Sequence, residues 1–172
     1  MRGRLEDFLE MRYVCLMTSR IATKSAAETQ KIARILAGEL KPHAHGAVVV
    51  ALEGDLGAGK TTFTQGFARA LGIKENVLSP TFVLMKIYDL KQEARSKKQG
   101  FKYLVHIDCY RIHNPKDILH LGMKDILKDR DAIVLIEWAD RIKKILPRDT
   151  IRIRFAHGAK QHERRMRIEA VA

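Results

Sequence analysis

Residues 47–71 read AVVVALEGDLGAGKTTFTQGFARAL, and they give the clearest indication of the fold class. Residues 47–52 form a continuous apolar run rich in β-branched side chains, which is typical of a strand buried on both faces of a sheet. Residues 61–71 repeat apolar side chains at helical spacing and end at Gly72, a common helix stop. The sequence therefore predicts a strand, a glycine-rich loop and a helix in direct succession.

The loop itself, residues 54–61, matches the pattern G-x-x-x-x-G-K-[ST] in full. Gly57 and Gly59 allow backbone N–H groups to point inward at nucleotide phosphates, and the helix that follows directs its positive end at the same anion. Lys60 can bridge the β- and γ-phosphates, and the Thr61 hydroxyl can ligate Mg²⁺. We therefore expect the chain to bind ATP and Mg²⁺, the alternative being a glycine-rich turn without a ligand. The nucleotide contacts predicted from this loop are Asp55, Leu56, Gly57, Ala58, Gly59, Lys60 and Thr61.

Two acidic residues directly follow predicted strands. Asp108 comes after the apolar residues 103–107, and Glu137 comes after residues 132–136. In an open parallel sheet, ligands bind beyond the carboxyl ends of the strands, where a carboxylate can hold a metal or orient water. We predict Glu137 as the Mg²⁺ partner of Thr61, and Asp108 as the residue that orients the attacking water or supports the metal. These roles could be exchanged, and either acid alone could instead cap a turn.

The alternation of predicted strands and helices indicates one α/β domain with a mainly parallel sheet flanked by helices. Residues 150–155 and 165–170 alternate polar and apolar side chains, so we expect them to add an antiparallel edge. The domain is placed at residues 21–172, and residues 1–20, which lack periodicity, are expected to be a variable extension. The other predicted segments are a helix at 25–40 with Ser25 and Glu28 as capping box, a strand at 81–88, a charged loop at 91–100, and a helix capped by Asn114 with Pro115 first.

The net charge of +12 is concentrated towards the C-terminus, where residues 141–167 carry ten Lys or Arg against Asp149 and Glu163. This surplus suits an anionic partner such as RNA or an acidic protein, the alternative being a solvated basic surface. Aromatic residues that could stack on bases are not interleaved. Cys15 and Cys109 show no metal-ligand spacing, and the sequence has neither a membrane-length apolar run nor a signal peptide. We therefore expect a cytoplasmic protein with two free thiols.

The absence of two motifs narrows the class of enzyme to which the chain can belong. The sequence has no Asn-Lys-x-Asp to recognise guanine and no clear arginine-rich lid like that of small-molecule kinases. Arg111 is the nearest candidate for a positive group beside the phosphates, and a structural ion pair would explain it equally well. His106 lies inside a predicted strand, which favours a buried supporting histidine over a catalytic base. A small kinase and a nucleotide-gated RNA-binding module remain the alternatives to an ATPase.

Four motifs together resemble one family. Residues 54–63 (GDLGAGKTTF), 79–82 (SPTF), 106–111 (HIDCYR) and 136–138 (IEW) agree in order and spacing with the bacterial TsaE family, formerly YjeE. The resemblance covers roughly residues 25–170. It implies an ATPase, weak alone, that is required for threonylcarbamoyladenosine modification of tRNAs decoding ANN codons. It further implies docking on the TsaD–TsaB pair and thus indirect contact with tRNA, while the charge of the basic C-terminal segment leaves direct contact with tRNA open.

The resemblance also implies roles for single residues, and it agrees with the phosphate and metal roles given above. Thr62, Asp108 and Trp138 match positions associated with hydrolysis or docking, and Thr81 lies where a loop could sense the γ-phosphate. The catalytic set becomes Lys60, Thr62, Asp108 and Glu137. The adenine contacts that the resemblance suggests are Thr23, Ser25 and Arg165. The departures from the family are Cys109 and the segments 1–20 and 91–100, which are longer than usual.

Overall fold

The apolar run at residues 47–52 forms the central strand of a sheet in the computed structural model, which describes residues 17–90 and 100–170. In the described part of the chain the sheet has seven strands in the order β1-β7-β6-β2-β5-β4-β3. In chain order the elements are β1 (Met17–Thr23), α1 (Ala26–Glu39), β2 (Val48–Gly54), α2 (Lys60–Ala70), β3 (Met85–Asp89), β4 (Tyr103–Asp108), α3 (Pro115–Leu119), α4 (Met123–Lys128), β5 (Ala132–Glu137), a 3₁₀ helix (Ala139–Ile142), β6 (Ile151–His157) and β7 (Arg164–Ala170).

The sheet is mixed, so the expectation of a mainly parallel sheet is wrong. The neighbours β6, β2, β5 and β4 run parallel, whereas the pairs β1–β7, β7–β6 and β3–β4 are antiparallel. The antiparallel pair predicted near the C-terminus is confirmed as the hairpin of β6 and β7. The parallel centre still brings the carboxyl ends of β2, β5 and β4 to one edge, where a ligand site is expected.

Two local predictions need correction. Residues 17–20, expected in a loose extension, belong to β1, which pairs along its length with β7. Residues 81–84, expected to open a strand, form a turn in which the N–H groups of Val83 and Leu84 donate to the Pro80 carbonyl oxygen at 3.1 and 2.6 Å. Strand β3 begins only at Met85. Residues 1–16 and most of the predicted loop at 91–100, namely 91–99, lie outside the described residues.

Helices α1 and α2 pack side by side on one face of the sheet, and both were predicted to within a residue or two. Ser25 caps α1 by accepting a hydrogen bond from the Glu28 N–H at 3.2 Å. The Glu28 carboxylate accepts from the Lys24 N–H at 2.8 Å, so the capping box closes one residue earlier than the standard pattern. The Ser25 hydroxyl thereby satisfies one of the first-turn N–H groups that have no partner within the helix, and the helix start is fixed.

Helices α3 and α4 and the 3₁₀ helix cover the opposite face of the sheet. The predicted cap of α3 is confirmed, because Asn114 Oδ1 accepts from the Lys116 N–H at 3.0 Å and Pro115 is the first helical residue. The apolar core on this face draws its strand residues from β2, β4 and β5, and among the described residues it contains none from β6, β7 or β1. Within residues 17–90 and 100–170, no helix is both long and apolar enough to cross a membrane.

Candidate functional site

The glycine loop, residues 54–61, joins β2 directly to α2, as predicted. A Cβ atom at Gly54, where φ is 129°, would lie 2.3 Å from the carbonyl oxygen of Phe155 in β6. Gly59 precedes α2 with φ of 108°, a backbone conformation that L side chains rarely adopt. Glycine is therefore required at both ends of the loop, once for close strand contact and once for the entry into the helix.

A cleft of about 420 Å³ lies beside this loop, at the carboxyl edge of β2, β5 and β4. Asp55 and Ala58, two of the predicted nucleotide contacts, do not line it. Ala58 is buried, and Asp55 contributes its carbonyl oxygen to a hydrogen bond with Lys60. The cleft brings together side chains from four separate parts of the sequence. Its lining residues are Leu56, Gly57, Gly59, Lys60, Thr61, Thr62, Ser79, Thr81, Asp108, Tyr110, Glu137 and Trp138.

Lys60 is held by the protein itself. Its Nζ donates to the carbonyl oxygens of Gly54 at 2.6 Å and Asp55 at 2.8 Å, and lies 3.7 Å from the centre of the Trp138 ring. Burial lowers the pKa of this ammonium group from its ordinary value, while the nearby carboxylates, Glu137 foremost, act in the opposite direction. The result is a desolvated cation at the cleft wall that can exchange two carbonyl acceptors for phosphate oxygens.

Glu137 connects three elements at the end of β5. Its Oε2 accepts from the Thr61 hydroxyl at 2.8 Å, and its Oε1 accepts from the Thr64 hydroxyl at 3.1 Å. His106 Nε2 lies 3.0 Å from the same Oε1 and is fully buried. His106 is thus the supporting histidine that the sequence favoured. Sequence reasoning missed Thr64, although it lies one helical turn after Thr61 and so faces the same side of α2.

Asp108 forms a second cluster, about the turn at residues 79–84. Its Oδ2 accepts from the hydroxyls of Thr81, at 2.6 Å, and of Ser79, and its Oδ1 accepts from the Tyr110 N–H at 2.8 Å. Ser79 and Tyr110 were not named as site residues, although both stand in the quoted motifs. The neighbouring Cys109 is buried, and its pKa is raised to about 12 by desolvation and by the charges of Asp108 and Asp140. Its thiol therefore stays protonated at neutral pH and supplies no nucleophile.

Trp138 adopts a left-handed backbone conformation, with φ of 58°, that turns its ring over the cleft. The ring packs against Tyr110, with 5.0 Å between centroids, and Arg141 lies 5.9 Å from the ring centroid. Arg111, the expected positive group beside the phosphates, does not line the cleft; its guanidinium lies 4.5 Å from the Phe82 ring. Lys60 is therefore the one cationic side chain among the described residues that line the cleft.

The suggested adenine contacts are not brought together. Thr23 is buried and bonded to Thr29 at 2.8 Å, Ser25 caps α1, and Arg165 points away from the face that α1 and α2 cover. The adjacent Arg164 instead borders a pocket of about 100 Å³ on the other side of the glycine loop. The other residues lining that pocket are Ala26, Thr29, Gly57, Gly59, Thr62 and His162.

The arrangement fits a magnesium nucleotide. The Thr61 hydroxyl and the Glu137 carboxylate are hard oxygen donors placed side by side, which is the ligand type that Mg²⁺ prefers, with phosphate and water completing its shell. In the described residues no cluster of three or more His, Cys, Asp or Glu forms an all-protein metal cage.

A family model, two related proteins and a solved structure all match most of this chain. Residues 23–166 match the family model for the threonylcarbamoyl adenosine biosynthesis protein TsaE. The tRNA threonylcarbamoyladenosine biosynthesis protein TsaE of Bacillus subtilis is 39% identical over 131 residues, which are 76% of this chain and 73% of that protein. The protein of the same name from Haemophilus influenzae is 39% identical over 118 residues, 69% of this chain and 66% of that protein. The crystal structure of Bacillus subtilis YdiB covers 93% of this chain and 90% of its own, with a TM-score of 0.70 and 31% identity.

Proposed function

This chain belongs to the TsaE family, whose members are named for tRNA threonylcarbamoyladenosine biosynthesis, and on that premise we propose that it is a Mg²⁺-dependent ATPase serving this modification. One observation carries the proposal. The Thr61 hydroxyl at the start of α2 donates to Glu137 Oε2 at the end of β5 at 2.8 Å, and the desolvated Lys60 lies in the same cleft. A hydroxyl, a carboxylate and a buried cation in this arrangement match the binding needs of a magnesium-bound polyphosphate.

Each group has a distinct role in the proposed reaction. Lys60 would exchange the carbonyl oxygens of Gly54 and Asp55 for oxygens of the β- and γ-phosphates. Thr61 and Glu137 would hold Mg²⁺, which would offset the charge of the phosphate oxygens. Asp108, whose carboxylate already accepts two hydroxyl hydrogen bonds, orients the attacking water.

The same geometry supports low activity of the isolated chain. Phosphoryl transfer is accelerated strongly when an arginine neutralises charge in the transition state, and no arginine of the described residues lines the cleft. A partner could supply such a group or order the turn at residues 79–84. The rim beside the cleft is suited to protein contact, because Leu78, Phe82 and Val83 are exposed by 64%, 84% and 68%. Membership of the TsaE family supports the TsaD–TsaB pair as the partner that we propose.

Phosphate release from Mg-ATP tests this function. We expect slow release by the wild type, stimulation by the TsaD–TsaB pair from the same source, and loss of both activities in Lys60→Ala. Transfer of the γ-phosphate to a nucleoside or metabolite, without free phosphate, would instead identify a kinase. A pair that neither binds the chain nor changes its rate would contradict the assembly part of the proposal while leaving the ATPase part standing.

Thr81→Ala is expected to lower the rate of phosphate release by about tenfold with little change in ATP affinity. The Thr81 hydroxyl donates to Asp108 Oδ2 at 2.6 Å. Its loss releases the turn at residues 79–84 from the carboxylate that we propose orients the attacking water. Steady-state kinetics of Thr81→Ala and Thr81→Ser separate this effect from packing, since serine keeps the hydroxyl. An unchanged rate in Thr81→Ala would contradict the role of this turn in sensing the γ-phosphate.

A further inference from the structure

One half of the sheet carries a row of arginines on a face that no described helix covers. On the side of α3, α4 and the 3₁₀ helix, the apolar core ends at β2. On the same side of β6, β7 and β1, side chains alternate with buried ones that face α1 and α2. We call the five basic residues of this surface the arginine face. They are Arg20, Arg152, Arg154, Arg165 and Arg167.

The arginine face sets like charges against one another. Arg20 lies directly opposite Arg167, and Arg167 lies directly opposite Arg154 on the next strand. Neighbouring strands are about 4.8 Å apart, so three guanidinium groups share a short row across the sheet. Like charges that face each other across a pair of strands destabilise it. An anion bound along the row would relieve this repulsion.

Two carboxylates neutralise the face only in part. Glu53 accepts from Arg152 at 3.2 Å and from Arg154 at 3.0 Å, and the hydrogen bond that Arg154 donates to Glu53 raises the pKa of Arg154. Glu169 contacts Arg154 at 3.4 Å and Arg167 at 2.7 Å. Five guanidinium groups against two carboxylates leave three positive charges. Arg20 and Arg165 form no ion pair with any residue that the structure describes.

The composition of this surface distinguishes between anionic partners. Its other members in β1, β6 and β7 are Thr18, Ala22, Ala156 and Glu169, so its described part has no large apolar or aromatic side chain. Protein interfaces usually have an apolar core enriched in aromatic residues, which is missing here. Base stacking also requires aromatic side chains, so single-stranded bases have no platform. What remains is a set of guanidinium forks, and these match phosphate oxygens.

We propose that the arginine face binds the phosphate backbone of folded RNA, without reading its bases. Double-stranded RNA is recognised mainly by shape and through backbone contacts, which a basic sheet surface can provide. This binding goes beyond the proposed ATPase and does not use the nucleotide cleft. It also differs from the basic C-terminal segment predicted from the sequence, because it includes Arg20 from β1 and excludes Arg164, whose side chain borders the pocket beside the glycine loop.

Binding of a fluorescently labelled tRNA transcript to the full chain, measured from low to physiological salt, tests the proposal. The logarithm of the association constant should fall linearly with the logarithm of the salt concentration. We expect a slope of about −3, because three positive charges of the arginine face are not neutralised. Arg20→Gln combined with Arg165→Gln should weaken binding by at least about tenfold at low salt and reduce the slope by about 2. Glu169→Gln, which frees Arg154 and Arg167, should tighten binding several-fold, an effect that damage to the fold would not produce.

A matched control removes two charges from the other side of the molecule. Lys31 and Arg34 are exposed on α1, so Lys31→Gln combined with Arg34→Gln should bind tRNA almost as the wild type does. An equal loss in this control, or absence of tRNA binding by the wild type at low salt, would overturn the proposal. Stronger capture of polyglutamate than of tRNA would overturn it in favour of an acidic protein. Phosphate release should be unchanged in all these variants, so failure here is distinguishable from failure of the proposed ATPase.

Discussion

Replacing Lys60 by alanine is expected to weaken ATP binding by about a hundredfold, equivalent to about 2.8 kcal/mol, while the protein remains folded. The affinity falls because the variant loses the one cation among the described residues that line the cleft. The fold is expected to survive because burial lowers the pKa of Lys60, which means that keeping this ammonium charged costs the folded state free energy. Water in the open cleft can take over the carbonyl oxygens of Gly54 and Asp55.

Isothermal titration with ATP and thermal unfolding measure these two expectations separately. Trp138 is the single tryptophan of the chain, and its ring lies 3.7 Å from Lys60 Nζ. ATP should therefore change the tryptophan emission of the wild type as the ammonium moves to phosphate, and should leave the emission of Lys60→Ala unchanged. Lys31→Ala, which removes an exposed lysine from α1, is the matched control. Wild-type affinity in Lys60→Ala would contradict the assignment of the glycine loop to phosphate binding.

The geometry of the proposed nucleotide site was the most predictable part of the molecule, because its sequence signals are local. The glycine loop carries its whole pattern within residues 54–61, and an apolar run followed by an acid marks the carboxyl end of a strand without knowledge of its neighbours. The structure accordingly brings Thr61 and Glu137 to 2.8 Å, although 76 residues separate them. Supporting side chains are less predictable. The hydroxyls of Thr64 and Ser79 became recognisable only when their distances to the two carboxylates were known.

The wrong predictions concern strands whose pairing depends on residues that are distant in the sequence. Among the described side chains of β1, Ile21 is the one large apolar side chain that packs against the core, so the strand lacks the clear alternation that identifies a strand in sequence. Its place beside β7 depends on a partner about 145 residues away. The sheet is mixed because β1 pairs antiparallel with β7, β7 with β6, and β3 with β4. The strand predicted at residues 81–88 starts only at Met85, because contacts with Asp108 and Pro80 hold residues 81–84 in a turn.

The arginines of β7 show that the sequence alone does not predict on which face of the sheet a single side chain lies. Arg164 and Arg165 are neighbours in sequence, yet their side chains lie on opposite faces of the sheet because the side-chain period of a strand is two. Arg164 borders the pocket beside the glycine loop, whereas Arg165 belongs to the arginine face. A count of basic residues along the sequence treats the two alike. Only the register of β7 against β6 and β1 assigns one to the nucleotide side and the other to the proposed RNA surface.

Glu137→Gln is expected to lower phosphate release by about a hundredfold or more and to abolish the gain in ATP affinity that Mg²⁺ provides. Glutamine keeps the size of the side chain and one oxygen acceptor for His106 or Thr64, so the buried network can persist. It removes the anionic oxygen beside the Thr61 hydroxyl, which is the atom that we assign to the metal. Titration of ATP with and without Mg²⁺ measures this loss independently of turnover. Glu39→Gln, at an exposed position near the end of α1, is the matched control.

Asp108→Asn completes the experiment, because the sequence left open which acid serves the metal and which serves the water. Asp108 already accepts hydrogen bonds from Ser79, Thr81 and Tyr110, whereas Glu137 contacts the predicted metal ligand Thr61 directly. We therefore expect Asp108→Asn to slow phosphate release while Mg²⁺ still tightens ATP binding. The opposite pattern, with Mg²⁺ coupling lost in Asp108→Asn and kept in Glu137→Gln, would exchange the two roles. Coupling kept in both variants would place the metal away from both acids and contradict the site proposed at the end of β5.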